Sequence, residues 1–314
     1  MSLRRALLAL PLAAATILIL AWPSDALAWG PLAHLSFSSQ ALAQAATLQP
    51  AVRVLLAEFG DAFLYGSLAA DIVVGKNMAP FLFHCHNWKV GFNVLGRARP
   101  GAEQAVALGF LAHLAADTVA HNYFVPFKTV GSFHKGRTGH AYWELRYDQK
   151  MDRALPRVAR RISAREMRAH DRFLRGSLAG ASVLPFGLSR QLFGSLLASA
   201  GARRFQQISR MALAPERSLA LEPDLVQETN DLAVRAILGV LFEGERSEAA
   251  RADATGARNL RVALDLRRRL RERTWRRRLP RRDAHEIAQA TRESFRGAIH
   301  GKLVMPASIA RLAA

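Results

Sequence analysis

The sequence predicts an all-α protein. Polar positions recur at helical spacing along the 314 residues, and runs of β-branched residues are few. Gly and Pro divide the chain into segments of helix length. Half of the residues are apolar. A chain of this length and composition can bury an extensive core, in one large domain or in a domain with a helical extension.

The first half of the chain predicts three helices and their connections. In order, the elements are a helix at 33–58 that Pro50 could break, an apolar element at 62–73, a loop at 75–88, a helix at 102–121, a loop at 122–139 and a helix at 140–160. The helix at 102–121 carries little charge, so we expect it to be buried. Both loops contain Gly and Pro.

The second half predicts further helices without an evident site. They lie at 163–175, 186–199, 203–213, 224–243, 256–278 and 283–299. Residues of the metal-binding type become rarer after Glu144. We therefore divide the chain into a core over 29–160 and a helical, Arg-rich C-terminal region over 161–314. One continuous helical body is an equally good interpretation.

The first 28 residues have the pattern of a cleaved signal peptide. Two arginines precede an apolar run that ends at Trp22, and Ala26-Leu27-Ala28 is a small-residue cleavage site. An uncleaved anchor is less favoured, because this run is interrupted by Pro11 and is short for a span of about 20 residues. Cleavage after Ala28 would give an exported protein, periplasmic or secreted, that begins at Trp29.

The charge of the chain is strongly positive and unevenly placed. The formal net charge is +19, and ten arginines lie between Arg267 and Arg282. Such a segment is attracted to anionic surfaces, either phospholipid head groups or nucleic acid, although a solvated helix face explains it as well. Nothing in the sequence indicates an oligomeric state. Cys85 is the only cysteine, which excludes an internal disulfide and a Cys2His2 zinc site.

The strongest local pattern is His113-Leu-Ala-Ala-Asp117-Thr-Val-Ala-His121. Spacings of four and eight residues place the three polar side chains on one stripe of a helix. The residues between them are small or apolar, so the stripe faces inward. A buried carboxylate between two imidazoles is costly unless it is compensated, and metal ions provide that compensation. A hydrogen-bonded His–Asp–His network without metal is the alternative.

The next helix repeats this spacing with His140 and Glu144. Asp71 ends an apolar stretch, where it could bind a metal or serve as a polar helix terminus. His84 and His86 flank Cys85, and only one of the two needs to be a ligand.

Trp29 and His34 add the last donors at the mature N-terminus, where a free amine and its own carbonyl can chelate. Imidazole, carboxylate and amine donors suit zinc in a catalytic role. Several close divalent ions polarise a phosphoryl oxygen, activate a bridging water and stabilise displacement at phosphorus.

Together these residues resemble the zinc-dependent phospholipase C family over about 29–150. The matching features are Trp29 after the cleavage site, His34, Asp71 in Gly-Ser-Leu-Ala-Ala-Asp, His86 before Trp88, the stretch from His113 to His121, and His140 with Glu144. The resemblance implies a multi-helix phospholipase C-like bundle, with the C-terminal region as a helical extension. It also implies three zinc ions.

The resemblance assigns a ligand set to each ion. Trp29, His34 and Asp117 would hold one ion; Asp71, His86, His113 and Asp117 a second; and His121, His140 and Glu144 the third. Asp71 would also act as general base or orient the attacking water.

One spacing differs from that of the bacillary phospholipases C. Their central Asp is followed by the next His after six residues, whereas Asp117 and His121 are four apart. The shorter offset resembles the N-terminal domain of glycosylphosphatidylinositol-specific phospholipase D. The Trp-Gly-x-x-x-His spacing from Trp29 to His34 resembles single-strand-specific zinc nucleases, but their Gln-Pro-Leu-His segment is missing.

The sequence therefore predicts an exported zinc-dependent hydrolase of phosphoric diesters that acts on phospholipids through a metal-activated water. The loop at 122–139 could place its aromatic side chains against lipid, or bury them in the core. One alternative is a single-strand nuclease of the same fold. The other is a protein that binds membrane surfaces and uses its metal cluster only for structure.

Overall fold

The computed structural model describes residues 29–72, 86–135, 140–178, 187–188, 190–191, 193–194 and 219–309. Within these ranges every regular element is a helix, so the predicted all-α class is confirmed. The predicted signal peptide, His84 and the helix predicted at 203–213 lie outside the described residues, as does most of 186–199. No helix in the described ranges is both long enough and apolar enough to cross a bilayer.

Eight α-helices form the described part of the first half. They are α1 (Pro31–Ala43), α2 (Pro50–Glu58), α3 (Gly60–Ala69), α4 (Trp88–Arg97), α5 (Ala102–Val119), α6 (Val125–Gly131), α7 (His140–Asp148) and α8 (Leu155–Ser177). The helix predicted at 33–58 is divided, and Pro50 begins α2, a position that tolerates proline because it has no helical acceptor. The sequence patterns did not predict α4. Helix α8 continues through residue 160.

The second half adds five described α-helices. They are α9 (Pro223–Glu243), α10 (Glu248–Arg251), α11 (Ala257–Trp275), α12 (Arg281–Ala290) and α13 (Arg292–Gly297). Helix α9 packs against α5 and α1, while α11 and α12 pack against α6. The two halves of the chain therefore share one core.

Helix α5 is the central element of that core. All of its residues from Ala105 to Val119 are buried, including His113 and Asp117. It contacts α3, α4 and α9 on different sides. A helix that is apolar around its whole circumference, as the small and aliphatic residues of α5 make it, requires such an enclosed position.

Two glycines set the distance between α3 and α5. A Cβ at Gly66 would lie 2.0 Å from the carbonyl oxygen of Val106, and one at Gly109 would lie 2.0 Å from that of Phe63. Backbone atoms cannot yield as a flexible side chain can, so only glycine permits this approach. The contact matters for the site because α3 leads to Asp71 and α5 carries His113.

The prediction of a loop at 122–139 is wrong for its first ten residues. Residues Ala120–Phe124 form a π-helical turn and Val125–Gly131 form α6. Pro126 occupies the first turn of α6, where it does not break the helix. The aromatic side chains Tyr123, Phe124, Phe127 and Phe133 are buried in the core. They are therefore not available to lipid, and the core interpretation holds.

Candidate metal centre

Asp117 is the centre of the first group of candidate ligands. Its carboxylate oxygens lie 3.3 Å from Nε2 of His34, 2.8 Å from Nδ1 of His86 and 3.2 Å from Nε2 of His113. The rings of His34 and His113 stack with centroids 3.6 Å apart. Asp71 completes the group, with its Oδ1 3.4 Å from Nε2 of His86.

Four different elements bring these five side chains together. His34 lies on α1, and His113 and Asp117 lie one turn apart on α5. Asp71 follows α3 in a short 3-10 turn, and His86 precedes α4. The side chain of Asn87 caps α4 by accepting a hydrogen bond from the backbone N–H of Lys89 at 2.9 Å. This cap fixes the chain direction next to His86.

His121, His140 and Glu144 form the second group. Oε1 of Glu144 lies 3.7 Å from Nε2 of His121 and 2.6 Å from Nε2 of His140. His121 is in the π-helical turn that follows α5, whereas the other two residues lie one turn apart on α7. π-helical turns within longer helices are frequent at functional sites.

Backbone carbonyls fix the orientation of two imidazole rings. Nδ1 of His113 lies 2.8 Å from the carbonyl oxygen of Ser67, and Nδ1 of His121 lies 2.6 Å from that of Ala254. A carbonyl can only accept, so each Nδ1 carries the proton. Each Nε2 is then directed to its carboxylates, as a metal-ligating histidine requires.

The residues present fit a metal. Several buried atoms find no hydrogen bond of acceptable geometry among the described residues, although charged neighbours are close: both ring nitrogens of His34, Nε2 of His113, Nε2 of His121 and both carboxylate oxygens of Asp117. Unsatisfied polar atoms are rare in protein interiors and call for a partner. Three sets of these donors have ligand atoms within 4.8 Å of one another: His34, Asp71 and His113; His86, His113 and Asp117; His121, His140 and Glu144. Nitrogen and oxygen donors of this kind suit zinc.

The pKa values of two of these groups favour the protonation states that metal binding needs. Burial, followed by the charge of His113, lowers the pKa of His34 to about 4. Burial alone would raise the pKa of Asp117, but the neighbouring imidazoles of His113, His86 and His34 hold it well below its usual range. A neutral imidazole beside an ionised carboxylate is the state in which both can bind zinc.

Trp29 lies beside this centre. Its indole Nε1 donates a hydrogen bond to the carbonyl oxygen of Ala116 at 3.1 Å, one residue before Asp117. Its ring is fully buried and packs against Phe37, Phe124 and Tyr147. The side chain therefore anchors this segment next to the first group of ligands.

Asp148 supports the site, although no sequence pattern indicated a role for it. Its carboxylate accepts hydrogen bonds from the backbone N–H groups of Ala33, at 2.9 Å, and Leu32, at 3.3 Å. It thus caps α1, the helix of His34, from the far end of α7. Burial raises the pKa of Asp148 to about 7 against the lowering effect of these hydrogen bonds. A cap supplied from 115 residues away has no local sequence signal.

The eight predicted ligand side chains therefore converge in two groups. The structure also places His34 close to Asp71 and His113. In the set of ligands predicted for each ion, His34 was grouped only with Trp29 and Asp117, so the observed sets share more ligands than predicted. The sequence model of a family described as zinc-dependent phospholipase C matches residues 33–175. This part of the chain is therefore similar to the zinc-dependent phospholipase C family. No curated protein and no solved structure matches the chain.

This match confirms the resemblance drawn from the sequence motifs. The matched range contains all eight side chains of the two groups. It also extends through most of α8, beyond the stretch of about 29–150 that the motifs cover. Helix α8 packs on α3, the helix that precedes Asp71.

Proposed function

We propose that this protein is an exported zinc-dependent phosphodiesterase that hydrolyses phospholipids in the manner of a phospholipase C. The observation that carries the proposal is the convergence of five imidazoles and three carboxylates in two groups, centred on Asp117 and Glu144, within the range that the family model matches. Burying so many ionisable groups together is costly unless cations compensate their charge.

The two groups of ligands would hold three zinc ions, with Asp117 shared between sites. Zinc bound there would polarise a phosphoryl oxygen and lower the pKa of a water molecule. The buried backbone acceptors of His113 and His121 keep the imidazoles in the tautomer that presents Nε2. The protein thus supplies a rigid, largely dry ligand set.

Asp71 is our candidate for the catalytic carboxylate. Its side chain is 14% exposed, whereas those of Asp117 and Glu144 are 0% and 2% exposed. It therefore stands where the ligand group meets solvent, and its Oδ1 is held near His86 and His113. From this position Asp71 can orient a water molecule and accept its proton.

The proposed reaction is the hydrolysis of the phosphodiester on its glycerol side. The oxygen of water forms a bond to phosphorus, and the bond between phosphorus and the glycerol oxygen breaks. One proton of the water passes to Asp71, and the departing glycerol oxygen takes up a proton from solvent. The products are diacylglycerol and a phosphorylated head group.

Export and the mature N-terminus belong to the same proposal. Cleavage after Ala28 would free the amine of Trp29 close to the first ligand group. The burial of the Trp29 ring and its hydrogen bond to Ala116 support this, because they tie the residue to the chain next to Asp117. Determining the N-terminal residue of the exported protein by mass spectrometry tests it.

The test of the reaction compares two substrates. We expect the zinc-loaded mature protein to release a phosphorylated head group from a short-chain phosphatidylcholine and to leave a single-stranded oligonucleotide intact. Asp71→Asn should abolish the release, whereas Asp61→Asn, on the surface of α3, should not. Cleavage of the oligonucleotide alone would favour the nuclease, and zinc binding without either activity would favour a structural metal cluster.

A further inference from the structure

A cationic pocket lies on the opposite end of α11 from the metal centre. Gly256, just before α11, adjoins the backbone of His121, whereas the pocket is lined by the C-terminal part of the helix from Leu264 to Trp275, by the segment after α6 and by the start of α12. The helical rise puts Arg271 about 20 Å from Gly256. The pocket has a volume of about 680 Å³.

The charge of the pocket is positive on nearly every side. Arg267, Arg268, Arg271 and Arg281 line it, together with a single acidic residue, Glu272. Arg271 and Arg281 form no ion pair with any carboxylate that the structure describes, whereas Arg268 pairs with Asp265 and Glu272 pairs with Arg276. Two cationic groups thus face the cavity without a counter-charge from the described chain.

His134 reports the same electrostatic environment. It lines the pocket from the segment that follows α6. Its pKa is lowered by burial, then by His285, and then by the charges of Lys135, Arg281 and Arg267. The contribution of these cations indicates a positive potential at the pocket, which suits an anion.

An apolar rim adjoins these cations. The indole of Trp275 is 81% exposed and the side chain of Leu264 is 47% exposed, and both line the pocket. Trp275 is the last residue of α11, so its ring projects where the helix ends. Trp is favoured at membrane interfaces because its ring is apolar while its N–H can remain hydrated.

We propose that this pocket binds the phosphate of an anionic phospholipid and docks the protein on a bilayer, with Trp275 and Leu264 entering the interface. Arginines with an exposed aromatic and an aliphatic rim match a lipid surface in both charge and polarity. The inference deepens the proposed function, because it assigns the lipid surface from which the substrate would be drawn. It names a binding site separate from the catalytic centre.

The test measures binding to vesicles of equimolar phosphatidylcholine and phosphatidylglycerol by sedimentation, with Asp71→Asn present throughout so that lipid is not consumed. Arg271→Gln with Arg281→Gln should weaken binding about 25-fold, since each cation near an anionic surface contributes roughly fivefold. The control is Arg258→Gln with Arg261→Gln. It removes the same charge from exposed positions of the same region, outside the pocket, and should weaken binding less than about threefold.

Three results would overturn the proposal. Equal losses in the two double variants would show general electrostatic attraction rather than a site. Loss of oligonucleotide binding with unchanged vesicle binding would assign the pocket to nucleic acid. The third test compares the quenching of tryptophan fluorescence by brominated phospholipids in the wild type and in Trp275→Phe. Equal quenching would show that Trp275 stays outside the bilayer.

A separate measurement distinguishes this proposal from the proposed function. Turnover of soluble short-chain phosphatidylcholine by the protein with native Asp71 should not change in either double variant. If that turnover is absent from the wild type while the vesicle results are as expected, the enzymatic proposal fails and the docking site stands. If turnover is present and the vesicle results are not, the docking site fails alone.

Discussion

Nδ1 of His121 donates a hydrogen bond to the carbonyl oxygen of Ala254 at 2.6 Å. The donor lies within the range that the family model matches, and the acceptor lies well outside it. Asn122 repeats the connection, since its amide donates to the carbonyl of Asp253 at 2.8 Å. The second half of the chain therefore orients a ligand of the proposed metal centre and forms part of its structure.

Gly256→Ala should disturb this junction. Gly256 has a φ of +54°, and a Cβ there would lie 2.3 Å from the carbonyl oxygen of His121. We expect the variant to lose about one zinc ion per chain. Gly244→Ala is the control, because its φ of +61° also strains the backbone of an alanine, but no atom lies within 4 Å. It should cost about 1–3 kcal/mol of stability and retain all zinc. Equal zinc contents in the two variants would contradict the link.

Asp117→Asn should abolish phospholipid hydrolysis and lower the zinc content by more than one ion per chain. Three imidazoles surround this carboxylate within 3.3 Å, so it is the natural bridge between sites. An amide offers one oxygen without the charge that a second ion needs. Metal analysis of the purified variant checks this, with Asp61→Asn as control. A wild-type zinc content in Asp117→Asn would exclude the bridging role.

His86→Ala should cost more activity than His84→Ala. His86 contacts both Asp71 and Asp117, and its ring meets that of His113 at a centroid distance of 4.8 Å. His84 lies outside the described residues. Hydrolysis rates of both variants with a soluble phospholipid decide the matter. A larger loss in His84→Ala would reverse the assignment.

Gly109→Ala should weaken the site from a distance. The added methyl group would meet the carbonyl of Phe63 and force α3 away from α5. That movement would separate Asp71 and the Ser67 carbonyl from His113. We expect lower zinc affinity and lower thermal stability. Gly96→Ala, in α4 with open space around it, should be neutral or slightly stabilising. Unchanged zinc affinity in Gly109→Ala would show that the helix spacing does not control the site.

The sequence predicted what depends on local spacing. The four-residue offset between His113 and Asp117 places both on one face of α5, and the structure confirms that these residues and His121 are buried. The charge-poor segment at 102–121 likewise predicted the buried central helix.

What the sequence could not predict depends on contacts between distant segments. Pro126 and Gly131 suggested a loop, but Pro126 lies in the first turn of α6, and that helix is held by packing against α11. The cap that Asp148 supplies to α1 and the acceptor that Ala254 supplies to His121 join residues more than 100 positions apart. No periodicity or motif encodes such pairs.

The most direct test follows hydrolysis while zinc is returned to the chelated mature protein. Its N-terminal residue should first be established as Trp29 by mass. We expect no release of the phosphorylated head group from short-chain phosphatidylcholine without metal, and a rise to a plateau as three zinc ions bind per chain. Full zinc binding without any release of the head group would contradict the central claim that these ligands form a phospholipase centre.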